Sequence, residues 1–192
     1  MFRKSSDIDF LKTGEVTIDA DGIPVNLGYR GTGSPEGKIT APVGSVYTDS
    51  AATNGAIRWI KSSGTGATGW RAEYGDTGWR NVRSLISPEP TGGTIDIRRH
   101  GADISVALDA LAISGDGTYV QFAFLLPAGL RPDRTLYLPL SPVVTADATG
   151  GVRVQSNGTV TIYGTSGKSR ATGAIRFLTG ESWPSILPGT PL

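Results

Sequence analysis

The sequence contains no cysteine, a single histidine (His100) and no apolar run approaching the length of a membrane span. Without cysteine, neither disulfides nor thiolate chemistry can contribute. One histidine excludes His-rich metal sites within one chain. The formal net charge is +1, so no long-range field draws the chain to nucleic acid or to a membrane surface. The opening MFRKSSDIDFLKTG carries basic residues but no apolar core and no small-residue cleavage site. The expectation is a protein made in the cytoplasm without a signal peptide and not inserted in a membrane.

Helical periodicity is also scarce. Gly 27 and Pro 12 make up about a fifth of the 192 residues, against an average of roughly an eighth. Between these breakers run short alternating segments, the pattern of strands joined by tight turns. The fold class expected is therefore all-β. Three hairpins can be placed in register. An Asp21-Gly22 turn pairs Ile18 with Val25 and Val16 with Leu27, with Pro24 on an edge strand because it has no N–H to donate. A His100-Gly101 turn pairs Ile97 with Ile104, Ile95 with Val106 and Arg98 with Asp103. A three-residue loop, Ser156-Asn157-Gly158, pairs Val154 with Val160 and Val152 with Ile162, with Gly158 left-handed.

Gly/Pro-rich stretches at 31–41 and 84–93 read as linkers. They divide the chain into an arm and hairpin (1–30), a small β module (42–83) and a C-terminal β domain (94–192). The final PSILPGTPL is expected as an extended arm lying along something else. A hairpin and a module of some forty residues are each too small to bury an apolar face alone, which points to a parallel homo-oligomer.

Motifs with chemical content fare poorly. Gly64-Thr65-Gly66-Ala67-Thr68-Gly69 matches a dinucleotide fingerprint, but that fingerprint needs a helix next, and GWRAEY reads as a strand. GTSGKS (164–169) lacks the first glycine of a P-loop, its place being taken by Ile162. Asp19-Ala20-Asp21-Gly22 opens like a calcium loop without the closing carboxylate. There is no nucleophile elbow, and His100 reads as a turn residue. The chain is expected not to be an enzyme and to need no cofactor or metal. Trp59 reads as core or subunit interface. Trp70, Trp79, Trp183, Tyr119 and Tyr163 lie close to Gly or Pro, where rings either fill a thin core or stack on sugars.

Three segments of residues 41–82 carry a resemblance: Pro42-Val43-Gly44-Ser45-Val46-Tyr47, Ala56-Ile57-Arg58-Trp59-Ile60-Lys61 and Gly64–Trp70. Together they resemble a module of phage tail-fibre and minor tail proteins. Gly78-Trp79-Arg80-Asn81-Val82 resembles the join to a C-terminal β domain in minor tail proteins of phages infecting actinobacteria. LLPAGLRPDRTLYLPL, VQSNGTVTIYG and IRFLTGESWP are similar to receptor-binding tips. The resemblance implies a homotrimer at the virion tail tip, whose 94–192 head, a β-sandwich or jelly-roll-like domain, adheres to host envelope glycan. It implies docking to other tail or baseplate proteins through the N-terminal arm, with Phe2, Ile8, Phe10 and Leu11 as apolar anchors. Candidate ligand contacts are the stacking rings Tyr119, Tyr163 and Trp183 and, for an anionic ligand such as a teichoic-acid-like polymer, Arg131, Arg134, Arg153 and Arg170. No collagen-like repeat or long shaft is present, so a purely structural tail decoration stays open, as does a glycan depolymerase.

Overall fold

The computed structural model describes residues 16–18, 24–26, 28–113, 120–142, 150–164 and 169–192. Phe2, Ile8, Phe10, Leu11 and Tyr119 lie outside them. The described residues form strands, turns and one short 3-10 turn, Arg83–Leu85, with no α-helix among them. The chain divides into two compact units, residues 1–75 and 76–192.

In the first unit, β1 (Val16–Ile18) and β2 (Pro24–Asn26) form a two-stranded antiparallel sheet. Ile18 stands opposite Pro24 and Thr17 opposite Val25, one residue out of the expected register. Five residues separate the two strands, and an odd connection cannot close as a two-residue turn. A four-stranded sheet follows, in chain order: β3 (Gly28–Gly31), β4 (Val46–Asp49), β5 (Ala56–Lys61) and β6 (Trp70–Gly75). β3 runs parallel to β4 and the others are antiparallel.

The buried face of this sheet is aromatic. Tyr47, Trp59 and Trp70 are almost fully buried, and Trp70 meets Tyr29 and Tyr47 edge-on at 6.2 and 6.1 Å. That geometry suits the ring quadrupoles. Trp59 thus settles as core of its own chain. Residues 31–41, expected as a linker, are instead built into the unit. The Glu36 carboxylate accepts the N–H groups of Gly69 and Trp70 at 3.1 and 2.8 Å, and the Trp70 indole donates to Ile39 O at 2.8 Å. The Asp49 carboxylate accepts from Gly33 and Ala51, both at 2.9 Å. Burial works to raise its pKa, but backbone donors from Ala51, Ala52 and Gly33, with the charge of Lys38, bring it below the usual carboxylate value.

The glycine loop between β5 and β6 is organised by a buried cation. Lys61 is fully buried. Its ammonium donates to Gly66 O at 2.6 Å and to Thr68 O and sits 5.8 Å from the Trp70 ring. Gly69 closes the loop at φ +93°, where a Cβ would lie 2.3 Å from Ser63 O. A strand follows, not a helix, so the fingerprint is a hairpin loop wrapped on an ammonium.

The second unit is one nine-stranded sheet. Its strands are β7 (Arg80–Asn81), β8 (Thr94–His100), β9 (Asp103–Ile113), β10 (Val120–Leu125), β11 (Leu136–Pro142), β12 (Gly150–Val154), β13 (Thr159–Gly164), β14 (Ser169–Leu178) and β15 (Thr190–Pro191). The order across the sheet is β10-β13-β12-β11-β14-β9-β8-β7-β15. β11 is the junction: Leu136–Leu140 pair with β12 and Ser141–Pro142 with β14. Inward residues from both sides of it, including Ile97, Val106 and Phe177 on one side and Val152, Val160 and Ile162 on the other, belong to a single core cluster.

The loop at 156–158 has the expected register, Val154 opposite Val160 and Val152 opposite Ile162, with Gly158 at φ +93°. The β8–β9 hairpin does not. Its turn is Gly101-Ala102, with Gly101 at φ +60°, so His100 faces Asp103, Ile97 faces Val106 and Arg98 faces Ser105. A type II′ turn takes glycine at its first central position, and His100 would be strained there. β9 also carries a bulge, since Ala171 opposes Leu111 while Gly173 opposes Leu108. Ala110 absorbs the extra residue at φ +47°, and its N–H is met by Thr172 Oγ1 at 3.1 Å.

The stretch 84–93, also expected as a linker, contributes the core residue Ile86. The C-terminal arm lies along its own unit. Thr190–Pro191 pair with Arg80–Asn81, and the Arg80 guanidinium donates to Pro188 O and Gly189 O at 2.5 and 2.8 Å.

Lys61→Ala removes a fully buried side chain and the charged donor to the Gly66 and Thr68 carbonyls, and is expected to destabilise the first unit by about 2–3 kcal/mol. Urea unfolding followed by tryptophan fluorescence measures this, because Trp70 lies beside the ammonium.

Candidate functional site

The outward and inward faces of β8 have different uses. Inward, the series Ile95, Ile97 ends on Arg99, which is 5 % exposed. A guanidinium cannot be buried without satisfying its donors, and here four backbone carbonyls do so. Nε donates to Gly101 O at 2.8 Å, NH2 to Glu181 O at 3.0 Å, and NH1 to Ser182 O at 3.0 Å and to Gly129 O. The guanidinium stacks 4.7 Å from the Trp183 ring. Burial pushes its pKa down to about 10, with the Glu181 charge opposing, so it is fully charged at neutral pH. Glu181 in turn accepts the Gly129 N–H. Arg99 thereby ties the 126–131 turn and the 179–184 segment to the sheet.

Outward, neighbouring strands bring together residues far apart in sequence. Arg98 lies opposite Ser105, and Ser105 opposite Arg176. In the next row His100 lies opposite Asp103. With Trp79, just before β7, these residues line an open cleft of about 270 Å3. Both guanidiniums are held by bidentate carboxylates. Arg98 Nε donates to Asp76 Oδ1 at 2.8 Å and its NH2 to Oδ2. Arg176 Nε and NH2 donate to the two Asp103 oxygens at 2.7 and 3.1 Å. The expected Arg98–Asp103 pair is therefore replaced by two others, because the turn sits one residue later on each strand. The Arg98 hydrogen bond lowers the Asp76 pKa against the opposing effect of burial, with help from the Gly78 N–H and the charges of Arg98 and His100.

The residues singled out from sequence are dispersed. Trp183 is 7 % exposed and serves as the stacking partner of Arg99, on the wall of a cavity of about 310 Å3 with Gly129 and Glu181. Arg131 spends its Nε on Leu126 O at 3.0 Å and packs beneath Gly158, where a Cβ would come within 2.7 Å of that Nε. Arg153 is half-buried in β12. Arg134 is exposed and lines a cavity of about 510 Å3 with Asp133, Leu136, Leu138, Phe177 and Arg176, the last shared with the cleft at Trp79. Tyr163 and Arg170 have backbone positions in β13 and β14. Arg131 and Trp183 flank the same 126–131 turn, but as supports for it. What sequence reasoning missed is the cleft at Trp79, Arg98, Ser105 and Arg176. Its signal was the outward alternation of β8 and β9, legible only once the turn is placed on Gly101-Ala102.

Among the described residues no group of three His, Cys, Asp or Glu could hold a metal ion, and no helix is long and apolar enough to cross a membrane. No protein-family model matches the chain, and the search of curated proteins likewise finds no match.

Two outcomes are expected. Arg99→Lys keeps a charge but loses the planar fork, leaves buried carbonyls without donors, and is expected to cost about 3 kcal/mol in urea unfolding. For Asp76 the folded pKa lies below the unfolded one. Its contribution is present above the ordinary carboxylate pKa and is lost as pH falls from there through the lower folded value. Asp76→Asn is therefore expected to flatten the dependence of melting temperature on pH over that window.

Proposed function

We propose that this chain is a bacteriophage tail component that adheres to the host cell surface through envelope glycan. The observation that carries this reading is the outward cleft at Trp79. An aromatic ring stands beside planar hydrogen-bonding groups on a sheet whose other face is packed core. Sugar sites combine those parts, with a ring face for the apolar side of the sugar and fixed polar groups for its hydroxyls. The resemblance of residues 41–82 to tail-fibre and minor tail modules supplies the setting. In this reading the second unit is a sandwich-type head whose two halves face each other across the shared core, and the N-terminal arm docks onto tail or baseplate proteins.

A cleft of this size binds weakly on its own, and three copies in a parallel homotrimer would raise the avidity without any new contact. Exposed apolar side chains such as Leu125, Tyr137, Leu178 and Ile186 give the head surface that association could cover. A depolymerase finds less support. Its general acid would need a carboxyl held protonated, whereas the Arg98 hydrogen bond favours the charged form of Asp76.

Light scattering of the full chain is expected to give three times the chain mass, and a monomer at micromolar concentration would contradict the trimer. Fluorescently labelled full-length protein is expected to decorate intact cells or envelope fractions from a panel of actinobacteria. Absence of labelling across the panel would favour a structural tail decoration, and release of reducing ends would favour the depolymerase.

A further inference from the structure

We propose, on the basis of the adhesion reading, that the cleft lined by Trp79, Arg98, Ser105 and Arg176 takes an uncharged saccharide and discriminates against polyanions such as polyol phosphates. The argument rests on how the charges are arranged. Each guanidinium in the cleft is matched by one carboxylate, Arg98 by Asp76 and Arg176 by Asp103, in two-point contact. The two pairs flank Ser105 on adjacent strands, roughly 10 Å apart at a strand spacing of about 4.8 Å. The floor is therefore close to electrically neutral but dense in directional hydrogen-bonding groups.

A carboxylate oxygen has a lone pair left after accepting from the arginine, and each guanidinium keeps its NH1 edge beyond the two bonds to its partner. Side by side, these groups offer an acceptor and a donor at the spacing of neighbouring hydroxyls, and the Ser105 hydroxyl can act as either. Trp79 supplies the apolar wall against which one sugar face packs. A phosphate approaching the same floor meets two arginines already neutralised by their carboxylates, one of which, Asp103, lines the cleft and repels it.

The arginines that could have formed an anion site do not converge. Arg131 is engaged with Leu126 O, Arg153 is half-buried in β12, and Arg134 lines a neighbouring cavity that shares only Arg176 with this cleft and sets Asp133 beside the two arginines. With a net charge of +1, the chain as a whole adds no field to attract a polyanion. The volume of about 270 Å3 falls just below the usual range for small-molecule pockets, about 300–1,000 Å3, and suits a mono- or disaccharide unit exposed along a polymer.

The full-length protein is titrated against an array of neutral hexose and N-acetylhexosamine oligosaccharides and, separately, against poly(glycerol phosphate). At least one neutral oligosaccharide is expected to bind, with affinity changing less than about twofold between low and high salt, because no counterions are released. Trp79→Ala and Arg176→Ala should each weaken that binding at least tenfold, with melting temperatures of the variants reported alongside. Arg176 is exposed and outside the core, so its variant reads the site even if Trp79→Ala proves unstable. Three results overturn the proposal: no binding to any neutral oligosaccharide, neutral binding unaffected by both substitutions, or tighter binding of poly(glycerol phosphate) that falls steeply with salt. The adhesion reading is tested separately. Cell labelling that no neutral oligosaccharide competes away leaves adhesion standing and sinks this assignment. Neutral binding in the cleft without cell labelling does the reverse.

Discussion

A charged group buried in a β protein has to be surrounded by acceptors, and the second unit is arranged around one such group. Arg99 occupies an inward position where the alternation of β8 would otherwise place another aliphatic side chain. Its four carbonyl partners come from the β8–β9 turn, from the 126–131 turn and from the 179–184 segment. None of these segments has a regular ladder partner at that point, and irregular backbone packed against a core needs its polar groups satisfied. One guanidinium provides this for three segments at once, and Trp183 covers its face. The rigidity of that end of the sheet follows, and with it the fixed positions of Arg98 and His100, which sit on the same strand immediately to either side. The first unit uses the same device on a smaller scale, with an ammonium in place of a guanidinium and a glycine loop in place of three segments.

How much of this could be read in advance depended on whether the determining contacts were local. The strands were legible because period-2 alternation is a property of a few adjacent residues. The 156–158 loop was legible down to its register, because Asn157-Gly158 and the flanking valines leave one arrangement that keeps the apolar residues on one face. The β8–β9 hairpin was misplaced by two residues in pairing. A shift of two preserves the faces, so Ile95, Ile97, Ile104 and Val106 stay together on one face, which is the core face, while the one polar pair expected, Arg98–Asp103, came out wrong. At β1–β2 the shift was one residue, so the side chains facing each other changed altogether.

Other features had no local signal. The order of strands around β11 pairs segments distant in sequence, and nothing in Leu136–Pro142 shows that it changes partners halfway along. The bulge at Ala110 depends on Thr172 across the sheet. Residues 31–41 and 84–93 have linker composition because glycine and proline suit tight packing turns as well as flexible tethers. Glu36 and Ile86 decide between the two, and each does so through contacts that lie outside its own segment. The same holds for the candidate site. Arginines near loops drew attention as free cations, but Arg131 is occupied by a carbonyl of its own turn.

The pleat of β8, β9 and β14 separates two kinds of selection along one stretch of chain. Residues 97, 104, 106, 175 and 177 face the core, where a change of one methyl group is felt throughout the packing. Residues 98, 105 and 176, interleaved with them, face outward and lie outside the core cluster. Substitutions at these three positions can alter the surface chemistry presented by the cleft while leaving the packed side intact. The row can therefore vary without disturbing the packed side, as long as no insertion or deletion within the strands exchanges one face for the other.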